Sequence, residues 1–276
     1  MKLSLIHNTS DMHVGGFLPE AGYNEDPKEL FHLVTLHKKH FAKNLEEYRE
    51  EIVQSGEYKE IQKGVYLPTH ASINDHIVFD TTKGIIVIEK NVTIMPFTYL
   101  AGPLRIDEGA TINPHSNISG SYIGKFCKIG GEVSNSVFEA YSNKGHYGYV
   151  GDSYVGSWVN LGGGTATSNL KNTYGTIKMD GVETGEQFIG SIIADHVKTA
   201  LNTAIYTGKI IGMGAHIYGT VTTDVPPCVN YYGKDNMIAI PFEVIEKTAT
   251  RMMARRGVVF NEGDKKTLQL IYNSNE

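Results

Sequence analysis

Aliphatic residues fall six positions apart through the middle of the chain: Ile88, Ile94, Leu100, Ile106, Ile112 and Ile118 keep the interval without an error. After a one-residue slip come Ile123 and Ile129. The interval returns with Val155 and Leu161, and again with Ile193, Ile205, Ile211 and Ile217, Thr199 holding the intermediate place. A helix repeats at about 3.6 residues and a half-buried strand at about 2, so a strict six belongs to neither. It marks a parallel β-helix in which each hexad is one short strand plus a corner, and three hexads close a triangular coil of about eighteen residues. The aliphatic points inward and stacks on its equivalent one coil away, at the strand spacing of about 4.8 Å. The glycine beside it in Ile123-Gly124, Val155-Gly156 and Ile211-Gly212 suits a tight corner. The expected fold class is mainly β, a left-handed parallel β-helix of hexapeptide repeats with about eight coils.

Other periods flank this region. Asp26 caps a helix with Pro27 at its first position and Glu29 three residues after the cap, and Gly56 stops it. Leu30, Val34, Phe41, Leu45, Tyr48 and Ile52 share its apolar face, which predicts docking on the main domain. A short strand is possible at Leu3 to Ile6. After Val221, Pro226-Pro227 is expected to end the regular winding. Ile240 to Arg256 reads as a helix with Val244, Ile245, Ala249, Met252 and Met253 on its apolar side. A shorter helix, capped by Asp264, carries Leu268 and Ile271. The division is 1-70 as an N-terminal segment with one long helix, 71-223 as the β-helix and 224-276 as a helical tail.

Composition narrows the class only slightly. A formal net charge of -5 and the absence of a Lys/Arg stripe give no reason to expect nucleic acid, although Arg251 with Arg255-Arg256 is a local basic spot able to hold a phosphate. Cys127 and Cys228 stand alone, without a disulfide framework or a CxxC pair. No apolar run approaches the roughly 18 residues of a membrane span. The expectation is a soluble, cytoplasmic protein without metal or membrane partner.

The stretch Tyr141 to Gly175 breaks the hexads and holds His146, Asn160, Asn169, Gly162-Gly163-Gly164 and the single tryptophan, Trp158. Trp158 points outward by hexad register, toward a subunit seam or a coenzyme channel, and tight corners account for the glycines. The segments GGEVSNS (130 to 136), YSNKGH (141 to 146), WVNLGGGT (158 to 165), SNLKNTYG (168 to 175), DHVKTALNTAIYTG (195 to 208) and MARRG (253 to 257) go further. With hexads on both sides they resemble the acetyltransferase domain of the bifunctional glucosamine-1-phosphate acetyltransferase/N-acetylglucosamine-1-phosphate uridyltransferase. They are more similar still to a branch of sugar nucleotidyltransferases with the same C-terminal β-helix. The resemblance runs from about 61 to the C-terminus.

It implies an acetyl-CoA-dependent N-acetyltransferase acting on an amino-sugar phosphate or a nucleotide-linked amino sugar, assembled as a homotrimer with the loop as its active site. His146 matches the family's general base and Glu132 a carboxylate beside it. Tyr149, Asn160 and Asn169 match substrate contacts, and the coenzyme is expected at Ala200, Leu201 and Gly219. A backbone N–H near Ala200 to Asn202 would serve the developing oxyanion. Imidazole suits the task because an amine must lose its proton to attack a thioester near neutral pH. Two departures stand out. The first sixty residues have no room for a nucleotidyltransferase domain, so uridyl transfer is not expected. The family's phosphate-holding lysine falls on Ser134, leaving Lys125, Lys144 or Lys171 as substitutes.

Two alternatives remain open from the sequence. One is a non-catalytic trimeric β-helix that scaffolds or regulates a separate nucleotidyltransferase. The other is a γ-type carbonic anhydrase, which shares the hexapeptide fold. Its close HxxxxH spacing occurs here only at His32 and His37, on the helix, where the two residues face about 140° apart. His196 and His216 are twenty apart rather than a coil's eighteen.

Overall fold

The computed structural model describes residues 28–273. The expectations at Leu3 to Ile6 and at the Asp26-Pro27 helix start lie outside them. A parallel β-solenoid of about nine turns forms the body, close to the expected coil number. Its first face is a nine-stranded sheet, parallel from Val65–Pro68 through to Lys209–Ile211, with Tyr58–Gln62 added antiparallel at the starting edge. The second face runs from Thr93–Ile94 to Val229–Gly233 and the third from Ile77–Asp80 to Ala204–Ile205.

Each face contributes one inward column, and the sixfold interval is the record of stepping between them. Ile106, Ile123, Phe138, Val155, Ile193 and Ile211 descend the first face in register. Ile94, Ile112 and Ile129 descend the second, and Leu100, Ile118, Val133 and Val150 the third. All are buried in one continuous core.

The hexads persist where the sequence seemed to break. Phe138, Lys144, Val150, Val155, Leu161 and Thr167 occupy successive inward positions, and the chain leaves the solenoid only after Thr167. Two of those positions are polar, so a count of aliphatics skipped them. Thr199, on the same column as Lys144, is accommodated by a 2.6 Å hydroxyl–hydroxyl bond to Thr165 and by accepting from the Gly162 N–H. The excursion carries a two-strand hairpin, Lys178–Met179 with Val182–Glu183. It folds back so that Ile177, Met179 and Ile189 are buried.

The prolines at 226 and 227 do not stop the winding. Val225 bridges Ile211, and Val229–Gly233 pairs parallel with His216–Ile217 before turning into an antiparallel hairpin. Both prolines sit at a corner, where no ladder N–H is required of them. The closing helices are α2 (Phe242–Ala254) and α3 (Glu262–Asn273). Ile245, Ala249 and Met253 are buried as expected, but Val244 is exposed. The cap of α3 is Asn261, whose Oδ1 accepts from Gly263 N and Asp264 N, while Asp264 Oδ2 accepts from Asn261 N in return.

Helix α1 (His32–Gln54) lies on the outer side of the first face. Leu33, Val34, Phe41 and Leu45 meet Tyr66, Val87, Tyr122, Val137 and Tyr154 in one buried cluster. The first-face strands are therefore apolar on both sides, unlike the other two. At about 1.5 Å per residue the helix is some 34 Å long, enough to cross about seven coils. Its far half is pinned by Glu89, which accepts from Tyr48 Oη at 2.8 Å, from Tyr58 Oη, and from Arg105 Nε at 3.1 Å. Its near half is pinned by His37, whose Nε2–H donates to the Gly120 carbonyl at 2.9 Å.

His37 is fully buried, and burial pushes its imidazole down to about 4 from an ordinary value near 6.5, against the opposing pull of the Gly120 carbonyl. The unfolded chain therefore binds the extra proton first. Stability from this group is complete above about pH 6.5 and is lost as the pH falls toward 4, by roughly 3 kcal/mol. His37→Gln keeps a donor but does not titrate. Chemical denaturation of both proteins between pH 7 and 4 is expected to show the steeper loss in the wild type. Parallel curves would refute this role.

Candidate functional site

The edge between the second and third faces carries the predicted base. Asn143 bridges Asn160, Asn160 bridges Lys198, and Thr199 pairs with Ile217. Counting two residues on from the inward column, His146, Gly163, Leu201 and Gly219 fall in one row along this edge. His146 and Leu201 are exposed and close over the buried Gly163: a Cβ there would stand 3.5 Å from His146 Cβ and from Leu201 Cδ2. Gly219 has open space around it. The row sets the exposed imidazole and the exposed Leu201 side by side along one edge. Of the three amides expected near an oxyanion, Ala200 N–H donates to Ile217 O and Asn202 N–H to Gly163 O, both at 2.8 Å. Leu201's amide is the one without a partner among the described residues.

Lys144 does not face a ligand. It stands on the inward column, 2% exposed, and its Nζ donates to the carbonyls of Gly130 at 2.7 Å and His146 at 3.0 Å. Burial pushes its pKa down to about 8, with Glu132 opposing. Its effect is to tie the backbone of the His146 turn to the coil before it. Lys171 is likewise engaged within its own loop, donating to the Thr176 carbonyl.

On the third face Glu132 and Tyr149 are register neighbours, both pointing outward. Tyr149 folds across Gly151, occupying the place where a side chain at 151 would begin. Its Oη lies 3.0 Å from Ser134 Oγ and accepts from Asn169 Nδ2 at 2.9 Å. Asn169 Nδ2 also donates to Asp152 Oδ2 at 2.7 Å, and Lys38 of α1 reaches Asp152 Oδ1 at 3.3 Å. Burial is the main cause that raises the Tyr149 phenol, so it stays protonated at neutral pH. With its amide nitrogen spent on Asp152 and Tyr149, Asn169 presents Oδ1, an acceptor. Lys38 and Asp152 were not anticipated. Lys38 lies in a different element, and only docking of α1 brings it here.

Asn160 is not part of this cluster. It sits on the second face, where its Oδ1 accepts from Asn143 Nδ2 at 2.7 Å, leaving its own amide N–H groups to donate. Lys198 beside it donates to the carbonyls of His196 at 2.7 Å and Trp158 at 3.1 Å, and burial pushes its ammonium down to about 7. His146 thus stands on a convex edge with Asn160 on one side and Tyr149 and Asn169 on the other. Trp158 does point outward, stacked on Tyr141 with centroids 4.2 Å apart. Of the HxxxxH pair, His37 is buried and His32 accepts at Nδ1 from the amides of Lys28 and Glu29, so they share no site. Among the described residues no cluster of His, Cys, Asp or Glu is arranged for a metal, and no helix is long and apolar enough to cross a membrane.

No protein-family model matches the chain. Among curated proteins it is 36% identical over 143 residues to a bifunctional sugar-1-phosphate nucleotidylyltransferase/acetyltransferase of Sulfurisphaera tokodaii, covering 49% of this chain and 36% of that one. It is 33% identical over 144 residues to the bifunctional protein GlmU of a Picosynechococcus species, covering 50% of this chain and 29% of that one. The aligned part is thus about a third of each relative's length. Among solved structures, AntD, an N-acyltransferase from Bacillus cereus in complex with dTDP-4-amino-4,6-dideoxyglucose and coenzyme A, aligns at 17% identity with a TM-score of 0.40. That alignment covers 60% of this chain and 90% of AntD, and at such a score it supports no conclusion. The chain resembles the hexapeptide-repeat acyltransferases, as its loop segments imply.

Proposed function

We propose that this chain is an acyl-CoA-dependent N-acyltransferase whose acceptor is an amino-sugar phosphate or a nucleotide-linked amino sugar, with acetyl-CoA as co-substrate. The observation that carries the reading is the row His146–Gly163–Leu201–Gly219, an exposed imidazole in one line with a Leu201 amide unpaired among the described residues, with the Tyr149–Asn169 cluster on the adjoining face. Its imidazole accepts a proton from the acceptor's ammonium-derived amine as the nitrogen bonds to the thioester carbon. Leu201's amide faces the charge that develops on the carbonyl oxygen. Collapse breaks the carbon–sulfur bond, and the thiolate leaves with the proton that His146 had taken. Holding both reactants in line removes the need for a covalent enzyme intermediate. In this reading Asn169 Oδ1 accepts from, and the Tyr149 phenol donates to, sugar hydroxyls.

A convex edge covers a ligand on one side only, whereas binding sites enclose most of their ligand. The reading therefore includes a homotrimer in which a neighbouring copy's face closes over the edge and brings an Asn160 to a Tyr149–Asn169 cluster. Light scattering is expected to give three times the 30.4 kDa chain mass; a single-chain mass would overturn the shared site. A panel of amino sugars, free, phosphorylated and nucleotide-linked, is assayed for thiol release from acetyl-CoA. Release with at least one acceptor is expected. Release with none, together with no acetyl-CoA binding, would favour the non-catalytic scaffold.

A further inference from the structure

Between α2 and the solenoid lies a cavity of about 380 Å³, within the usual range of ligand pockets. Tyr141 and Trp158 line it from a corner of the solenoid, where Phe126 continues their stack one coil further away from the cavity. The Tyr141 and Trp158 rings lie 4° from parallel, and Phe126 follows at 5.0 Å from Tyr141. All three hold left-handed backbone, with φ of 58°, 64° and 60°. That conformation is costly for a bulky residue, and on the same corner other coils use Gly109 and Gly214. Closing the coil does not require aromatics there.

The other walls are basic. Arg251, Arg255 and Arg256 come from the last turn of α2 and the residues after it, and Lys128 comes from the solenoid. No Asp or Glu lines the cavity, and among the described residues neither the three arginines nor Lys128 has an ion pair; the fifth lining cation, Lys198, donates to the carbonyls of Trp158 and His196. Cations at a helix C-terminus complement its dipole, which accounts for Arg251 but not for Lys128 on the opposite wall. In a chain with net charge -5 the concentration of unpaired positive charge in one cavity is a local exception. Burial pushes the Arg256 guanidinium down, as expected for a cation lacking a counter-charge.

We propose that this cavity binds a planar base carrying a polyphosphate, the base extending the Tyr141–Trp158 stack and the phosphates pairing with Arg251, Arg255 and Arg256. Stacking on an aromatic face accepts any base, and guanidinium forks match phosphate oxygens. Asn160, whose amide N–H groups are free to donate, lines the same space and suits a base or ribose oxygen. Two sources share this chemistry: the nucleoside diphosphate of a sugar nucleotide and the adenosine end of coenzyme A. The inference rests on the cavity and is independent of acyl transfer.

Trp158 is the chain's single tryptophan, so its fluorescence reports on this corner of the solenoid, and the arginine variants tie the signal to this cavity. Full-length protein is titrated with UDP, dTDP, coenzyme A and inorganic diphosphate. Saturable quenching by at least one base-bearing probe and none by diphosphate is expected. Quenching by coenzyme A alone identifies the coenzyme end, and quenching by UDP or dTDP alone identifies a sugar nucleotide. The pair Arg251→Gln with Arg255→Gln, on the exposed side of α2, should weaken the quenching probe at least tenfold, with the thermal midpoint retained. Absence of saturable quenching by all three base-bearing probes, or equal affinity in the double variant, would overturn the proposal. Quenching without thiol release would support it while refuting the transfer reaction.

Discussion

His146→Ala is expected to lower the rate of thiol release by about 10²-fold or more, the usual contribution of a positioned general base. The thermal midpoint should barely move, because the side chain is exposed at the solenoid's edge and makes no described side-chain hydrogen bond. The loss should fall on kcat and on kcat/KM alike, since proton removal matters only as the amine attacks. Asn169→Ala differs: the proposed role of Asn169 is to accept from the sugar in the ground state, so the change should fall mainly on KM. Unchanged turnover in His146→Ala would remove the mechanism, and an equal loss of folded protein would reassign His146 to structure.

Glu89→Ala is expected to destabilise the fold by about 3 kcal/mol or more, read as a shift of the urea midpoint. Glu89 is 7% exposed and Arg105 12%, and the pair is 3.0 Å apart. The same carboxylate accepts from Tyr48 and Tyr58, and the Arg105 guanidinium lies 3.9 Å over the Tyr48 ring. Removing it therefore takes one acceptor from two phenols and the nearest carboxylate from Arg105 in a half-dry interface. Glu89→Gln keeps an acceptor of the same shape, so an intermediate cost is expected. A loss below 1 kcal/mol in Glu89→Ala would show that apolar contact alone holds α1. Because α1 also delivers Lys38 to Asp152, undocking its far end should be felt at Asn169 only if the helix moves as one body.

The chain's own pattern determined the solenoid, because each inward column must be filled at every coil and aliphatics fill it best. The run Ile88 to Ile118 records three such columns directly, and the face of α1 from Val34 to Ile52 records its docking. The loop segments around His146 carried the resemblance to the hexapeptide-repeat acyltransferases. The grouping of the site residues was decided by tertiary structure. Lys144 looked like a ligand-facing cation, yet coil register turns it inward, where its ammonium donates to the carbonyls of Gly130 and His146. Asn160 and Asn169 looked like partners at nine residues' separation, but a prism edge stands between their faces. Lys38 and Asp152 meet only because a helix far off in sequence crosses the first face. A period of six fixes which residues point inward on a coil, and that is a local property. Which outward residues share a surface depends on how coils stack and what docks on them, and no local spacing encodes that.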